Sequence, residues 1–71
     1  MEEVTLREGE EFIKLGQLMK KAGLAGSGLD AKFLIKDGQV EVNGQVDTRR
    51  GRKLYEGDQV TFKDQTLVVV R

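Results

Sequence analysis

Residues 15–44 have the sequence LGQLMKKAGLAGSGLDAKFLIKDGQVEVNG, in which two segments of helical period precede one of strand period. In the first segment the apolar side chains recur at i, i+3, i+4 and i+7: Leu15, Leu18, Met19 and Ala22. This spacing forms one stripe of an amphipathic helix. Gly23 follows, at the position where a left-handed C-cap favours glycine. We therefore expect a first helix that begins at Ile13 or Lys14 and ends at Ala22.

A second helix is predicted from a capping signal at Ser27. Ser27 and Asp30 have the spacing of an acidic capping box, and the aspartate also favours the positive end of a helix dipole. A buried stripe follows, made of Ala31, Leu34 and Ile35. The dipeptide Asp37-Gly38 ends the helix. A linker of about five residues, which contains Ala25-Gly26, joins the two short helices. Two helices connected in this way form a helix hairpin.

The apolar period changes from 3.6 to 2 after this helix. Val40 and Val42 alternate with polar residues, and Asn43-Gly44 is a strong signal for a type I′ hairpin turn. Further strands are predicted at residues 4–6, 45–47, 60–62 and 66–70. The order β-α-α-β-β-β-β indicates an α+β fold, with the helix hairpin packed on a small mixed or antiparallel sheet of about four to five strands.

Two further expectations concern the core. The continuous apolar run at residues 67–70 indicates burial on both faces or a central place in the sheet. Phe12, Phe33 and Phe62 are all expected to be core residues, which leaves Tyr55 as the one aromatic side chain expected near the polar loop that precedes it.

The composition bounds the function. A chain of 71 residues forms one domain at most, expected over residues 1–71 with an acidic N-terminal strand or extension at residues 1–11. It has no cysteine and no histidine, which excludes a disulfide framework, a zinc-finger ligand set and the commonest general base. No apolar run approaches the length of a membrane span. We expect a cytoplasmic protein that is not an enzyme and has no cofactor, metal or membrane partner.

The net charge is zero, but the charges are unevenly distributed. Residues 1–11 carry five glutamates against one arginine, whereas residues 12–71 carry eleven Lys or Arg against seven Asp or Glu. Four of these cations lie in the polar loop at residues 48–53, called here the basic loop: Arg49, Arg50, Arg52 and Lys53. The planar guanidinium fork suits phosphate, and Gly51 would let the backbone approach a ligand. A solubilising loop is the competing interpretation.

The helices carry further cations. Lys14, Gln17 and Lys21 share the face opposite the apolar stripe of the first helix, and Lys32 and Lys36 are i, i+4 neighbours on the second. Taken alone, these are ordinary solvated helix faces. Their importance depends on whether the fold brings them next to the basic loop.

The order of these features resembles the RNA-binding domain named after ribosomal small-subunit protein four. This domain also occurs in tyrosyl-tRNA synthetases, pseudouridine synthases and a heat-shock ribosome-binding protein. The resemblance covers about residues 12–62 and is carried by LGQLMKKAGL, SGLDAKFLIKDG, VEVNG and the turn at residues 55–58. It is closest to the short, single-domain bacterial subgroup, whose helix pair is of the αL type.

The resemblance implies a monomeric protein that binds structured RNA, ribosomal or transfer RNA, and acts in ribosome assembly or RNA metabolism, with the ribosome as a further partner. The implied RNA-binding residues, carried over by position, are Lys14, Gln17, Lys21, Ser27, Lys32, Lys36, Asn43, Arg49, Arg50, Arg52 and Lys53. Asn43 also has a simpler role as a turn residue, and Ser27 as a helix cap.

Many family members have an arginine near the start of the first helix and another directly after the linker serine. Here those positions hold Phe12 or Lys14, and Gly28. We therefore expect the affinity to depend mainly on the basic loop. Two other functions are considered. A small β-grasp carrier is disfavoured because the sequence ends Val-Val-Arg instead of Gly-Gly. A protein-interaction adaptor associated with the ribosome or with DNA-maintenance machinery, using the acidic N-terminal segment, is the alternative.

Overall fold

The computed structural model describes all residues, 1–71, as two helices and seven strands. These are β1 Glu2–Thr5, β2 Ile13–Lys14, α1 Leu15–Lys21, α2 Gly28–Lys36, β3 Val40–Val42, β4 Gln45–Val46, β5 Lys53–Leu54, β6 Gln59–Phe62 and β7 Gln65–Val70. Five strands form a mixed sheet in the order β1-β7-β6-β3-β4, and β2 and β5 form a separate two-stranded sheet. The predicted α+β class is confirmed. Neither helix is long and apolar enough to cross a membrane.

The local signals for helices and turns are confirmed. The Ser27 hydroxyl caps α2 by accepting from the Asp30 amide at 3.1 Å. Gly23 and Gly38 adopt positive φ after the two helices. The Asn43-Gly44 turn has φ of 51° and 86° at its two central residues, as a type I′ turn requires.

The parallel pairing of β1 with β7 makes the acidic N-terminal segment part of the main sheet. Val4 lies opposite Val69 in this pair, and Val4 and Leu6 belong to the buried core. The pairing also places β7 inside the sheet, between β1 and β6. This agrees with the central position indicated by its apolar run, although Val68 and Val70 are only half-buried.

One core of sixteen buried residues joins both helices to one face of the main sheet. Leu15, Leu18 and Met19 of α1 and Ile35 of α2 are fully buried in it. The expectation that Phe33 is a core residue is wrong, because its side chain is 65% exposed. It lies between Ala31 and Ile35 in sequence and therefore projects from the opposite side of α2. Of the other phenylalanines, Phe62 is buried and Phe12 half-buried.

The burial pattern of α2 predicts opposite outcomes for two truncations on the same helix. Ile35→Ala should lower the free energy of unfolding by roughly 2–5 kcal/mol, because it leaves a cavity in the core. Phe33→Ala should change it by less than about 0.5 kcal/mol, because the ring is exposed. Urea unfolding followed by circular dichroism measures both. A large loss of stability in Phe33→Ala would contradict the exposed position of this ring.

Candidate nucleic-acid interface

The basic loop leaves β4 at Asp47, whose carboxylate is buried and organises the loop. This carboxylate accepts four hydrogen bonds from two arginines: Arg49 N at 2.9 Å, Arg49 Nε at 3.1 Å, Arg49 Nη2 at 2.9 Å and Arg52 Nη1 at 2.8 Å. Asp47 is held in turn by its own amide, which donates to the Val40 carbonyl at 3.1 Å. The loop therefore folds around one buried carboxylate that is only 6% exposed.

The electrostatics of this carboxylate follow from its partners. The hydrogen bond from the Arg49 side chain holds the pKa of Asp47 well below its usual range, assisted by Arg52 and the Arg49 amide and opposed by burial. The same contact raises the pKa of Arg49. Arg49 and Arg52 thus have a structural role in shaping the loop, and only their outer N–H groups remain free for a ligand.

Two backbone hydrogen bonds join the basic loop to the start of α1. Leu15 N donates to the Arg52 carbonyl at 2.8 Å, and Gly16 N donates to the Arg50 carbonyl at 3.0 Å. The first amides of a helix lack acceptors within the helix, and here the loop supplies them. The contact requires a glycine, because a Cβ at Gly16 would lie 2.7 Å from Cγ of Arg50. The Arg50 side chain consequently lies against the first turn of α1.

The short β2–β5 sheet, which the sequence did not predict, brings two lysines together. Lys14 and Lys53 are directly opposite each other on these antiparallel strands, while their neighbours Ile13 and Leu54 are buried in the core. Like charges at opposed positions of a sheet destabilise it. An anionic ligand between the two ammonium groups would offset this repulsion. Lys53 also lies 4.9 Å from the ring centroid of Phe12.

These contacts form one open groove between α1, the start of α2 and the basic loop. We call it the basic groove; it has a volume of about 320 Å³ and is lined by Lys14, Gly16, Gln17, Lys20, Gly28, Ala31, Arg50 and Gly51. None of the lining residues is acidic. The three glycines leave parts of its surface without side chains, so a ligand could approach the backbone closely. The Arg50 side chain has no protein acceptor, in contrast to Arg49 and Arg52.

Lys20 is a member of this groove that the sequence reasoning missed. Lys14, Gln17 and Lys21 are expected on one face of α1, but the groove is lined by Lys20 instead of Lys21. The signal was present, because Lys20 follows Gly16 by four residues and therefore lies above it on the helix. Lys21 instead donates to the carbonyl of Thr5, the last residue of β1, which is a structural contact.

The remaining predicted residues lie at different distances from this site. Gln17 lines the groove, and its Oε1 accepts from the Lys14 amide at 3.2 Å. Ser27 caps α2 next to the lining residue Gly28. Lys32 and Lys36 are exposed on α2.

Asn43 is separate from the groove. It lies at the opposite end of the β3–β4 hairpin from Asp47, and its side chain contacts Asp58 and the Gln59 amide at 3.1 and 2.9 Å. This placement favours its simpler role as a turn residue.

The depressed pKa of Asp47 predicts a pH-dependent contribution to stability. Its folded-state pKa is below the unfolded value of about 3.9, so the stabilisation is present above that pH and is lost progressively as the pH falls further. Asp47→Asn should lower the free energy of unfolding by roughly 1–3 kcal/mol at neutral pH. The difference from the unmutated protein should shrink below about pH 4.

Urea titrations across this pH range measure the difference. Asp64→Asn is the control, since Asp64 is an exposed carboxylate in the β6–β7 turn. An Asp47→Asn deficit that is the same at pH 3 and pH 7 would rule out the ionised carboxylate as its source.

Comparison with known proteins identifies relatives of this chain. RlbA of Bacillus subtilis (strain 168), provisionally named a ribosome maturation protein, is 50% identical over 53 residues, which are 75% of this chain and 75% of RlbA. YbcJ of Escherichia coli (strain K12), provisionally named an RNA-binding protein, is 40% identical over 58 residues, 82% of this chain and 83% of YbcJ.

The fold gives the same result. The solution structure of E. coli YbcJ, described as revealing an αL motif involved in RNA binding, superposes with a TM-score of 0.72 at 35% identity, covering 100% of this chain and 89% of that one. Residues 4–70 match the family model of the S4 domain. The resemblance found in the sequence is confirmed, and the chain belongs to the S4 domain family.

Proposed function

We propose that this protein is an RNA-binding module that holds structured RNA in the basic groove. The observation that carries the proposal is a group of cations without carboxylate partners, which the fold brings together at the basic groove. Lys14, Lys20 and Arg50 line the groove, Lys53 lies beside Lys14, and no carboxylate is among the lining residues. A protein surface gains nothing from such like-charge repulsion unless an anion offsets it.

The relatives support ribosomal RNA as the target. One is named for ribosome maturation and another for RNA binding, and neither name refers to a catalytic activity. We therefore propose a monomeric, cytoplasmic binding protein, not an enzyme, that acts on ribosomal RNA during ribosome maturation. Transfer RNA is the alternative RNA target.

The proposed mechanism is electrostatic. Lysine and arginine neutralise phosphates and release the counterions condensed on the RNA, which supplies most of the affinity. Arg50 adds a planar donor fork, and the stem of its side chain packs on the first turn of α1 at Gly16. Because the groove contacts the phosphate backbone, the protein should recognise the shape of a folded RNA more than its base sequence.

The structure predicts that Arg50 and Lys20 contribute to binding but not to stability. Arg50→Ala and Lys20→Ala should each weaken binding to structured ribosomal RNA roughly tenfold at low salt. Each should also reduce the slope of log affinity against log salt by roughly 0.7–0.9. The unfolding midpoint should stay unchanged, because neither side chain has a protein acceptor. Fluorescence anisotropy at several salt concentrations measures the affinity.

Lys63→Gln is the matched control, because Lys63 is an exposed lysine in the β6–β7 turn that does not line the groove. It should change the affinity much less than either groove variant. An equal loss in all three variants would indicate a diffuse charge effect. Unchanged affinity in Arg50→Ala and Lys20→Ala would remove the groove from the proposed function.

A further inference from the structure

The outward face of α2 carries two large apolar side chains and two lysines. Leu29, Lys32, Phe33 and Lys36 are spaced i, i+3, i+4 and i+7, so they lie on one side of the helix. Leu29 is 78% exposed and Phe33 65% exposed, whereas Ala31 and Ile35 on the opposite side are buried. The Phe33 ring therefore does not contribute to the core. An ordinary amphipathic helix would have a polar residue at this position.

Charged residues of both signs lie near Phe33 in sequence: Lys32 and Lys36, and also Asp30 and Asp37. Lys32 precedes Phe33 and Lys36 lies one helical turn further on, and neither lysine forms a salt bridge. The nearest carboxylates are directed elsewhere. Oδ2 of Asp30 lies 3.1 Å from the position of a Cβ on Gly26, and Asp37 Oδ2 accepts from Gln39 Nε2 at 2.7 Å. This face therefore combines an accessible aromatic ring with two lysines that form no salt bridge.

The face continues the basic groove. Gly28 and Ala31 line the groove, Lys32 follows Gly28 by four residues, and Lys36 follows Lys32 by four. Lys32 and Lys36 consequently extend the positive charge of the groove along the side of α2 that carries the exposed ring. An RNA whose phosphates lie in the groove would reach Phe33 with the adjoining nucleotides of the same strand.

We propose that this face binds an unpaired nucleotide of the RNA whose structured part lies in the groove. The base stacks on Phe33 with Leu29 at its edge, and the adjoining phosphates contact Lys32 and Lys36. An aromatic ring between cations is the combination that binds single-stranded nucleic acid. The apolar area of two side chains is small compared with the roughly 800 Å² that each partner buries in a stable protein interface. This inference rests on the proposed function.

Two labelled RNAs test it: a hairpin with an unpaired loop, carrying 2-aminopurine in that loop, and a blunt duplex with the same stem. Phe33→Ala should weaken binding of the hairpin roughly tenfold, the size expected for one stacked base, and leave the duplex affinity unchanged. Phe33→Trp should retain hairpin binding and the quenching of 2-aminopurine. Because Phe33 carries no charge, the salt dependence should not change in either variant.

Val46→Ala is the matched control, because Val46 is an exposed apolar residue, 57% exposed, with no lysine beside it on β4. It should leave both affinities unchanged. Equal affinities of Phe33→Ala and the unmutated protein for the hairpin would overturn the stacking proposal and leave this face to a protein partner. An equal loss on hairpin and duplex would also overturn it. If the unmutated protein bound neither RNA, the proposed function itself would fail.

Discussion

The buried carboxylate of Asp47 is the interaction on which the candidate site depends. A carboxylate with this little exposure needs cationic or hydrogen-bonding partners, and it obtains them from the two arginines on either side of Arg50. Satisfying Asp47 folds the loop back on itself, and the folded loop then presents carbonyls to the free amides of α1. The chain thereby uses two of its loop cations for structure and leaves Arg50 and Lys53 without a carboxylate partner. A loop of free arginines would instead lose conformational entropy on each binding event.

The parts of the fold with a local cause could be predicted from the sequence, and those with a non-local cause could not. Ser27, Gly23 and Asn43-Gly44 specify caps and turns through their own backbone preferences, so these features were predictable. Strands β2 and β5 have two residues each, too few for any period, and they exist because Leu54 and Ile13 share the core. The parallel pairing of β1 with β7 joins opposite parts of the sequence, and no local pattern indicates it.

The same distinction applies to the site. The basic loop and the helix lysines could be identified from residue type and spacing. The pairing of Arg49 and Arg52 with Asp47, which leaves Arg50 unpaired, could not be identified, because the sequence does not show that Asp47 is buried. Lys20 was missed because helix faces were assigned relative to the apolar stripe, whereas the groove is defined by Gly16 and the loop that packs on it. Phe33 was assigned to the core by residue type, although its position in α2 conflicts with the buried stripe.

The β1–β7 pair also has a consequence for how the chain reaches its native state. Its register joins Glu2 to Leu67 and Thr5 to Val70, so the contacts of an interior strand connect residues at the largest sequence separations in the molecule. Contacts of high sequence separation require long loops to close before any pairing energy is gained, and they slow folding. The contacts between α1 and α2 are local, so they require a much shorter loop to close than the β1–β7 pair does. During synthesis, residues 2–5 would remain unpaired until residues 65–70 have emerged. The core that α1 and α2 share with the sheet would therefore be completed only at that stage.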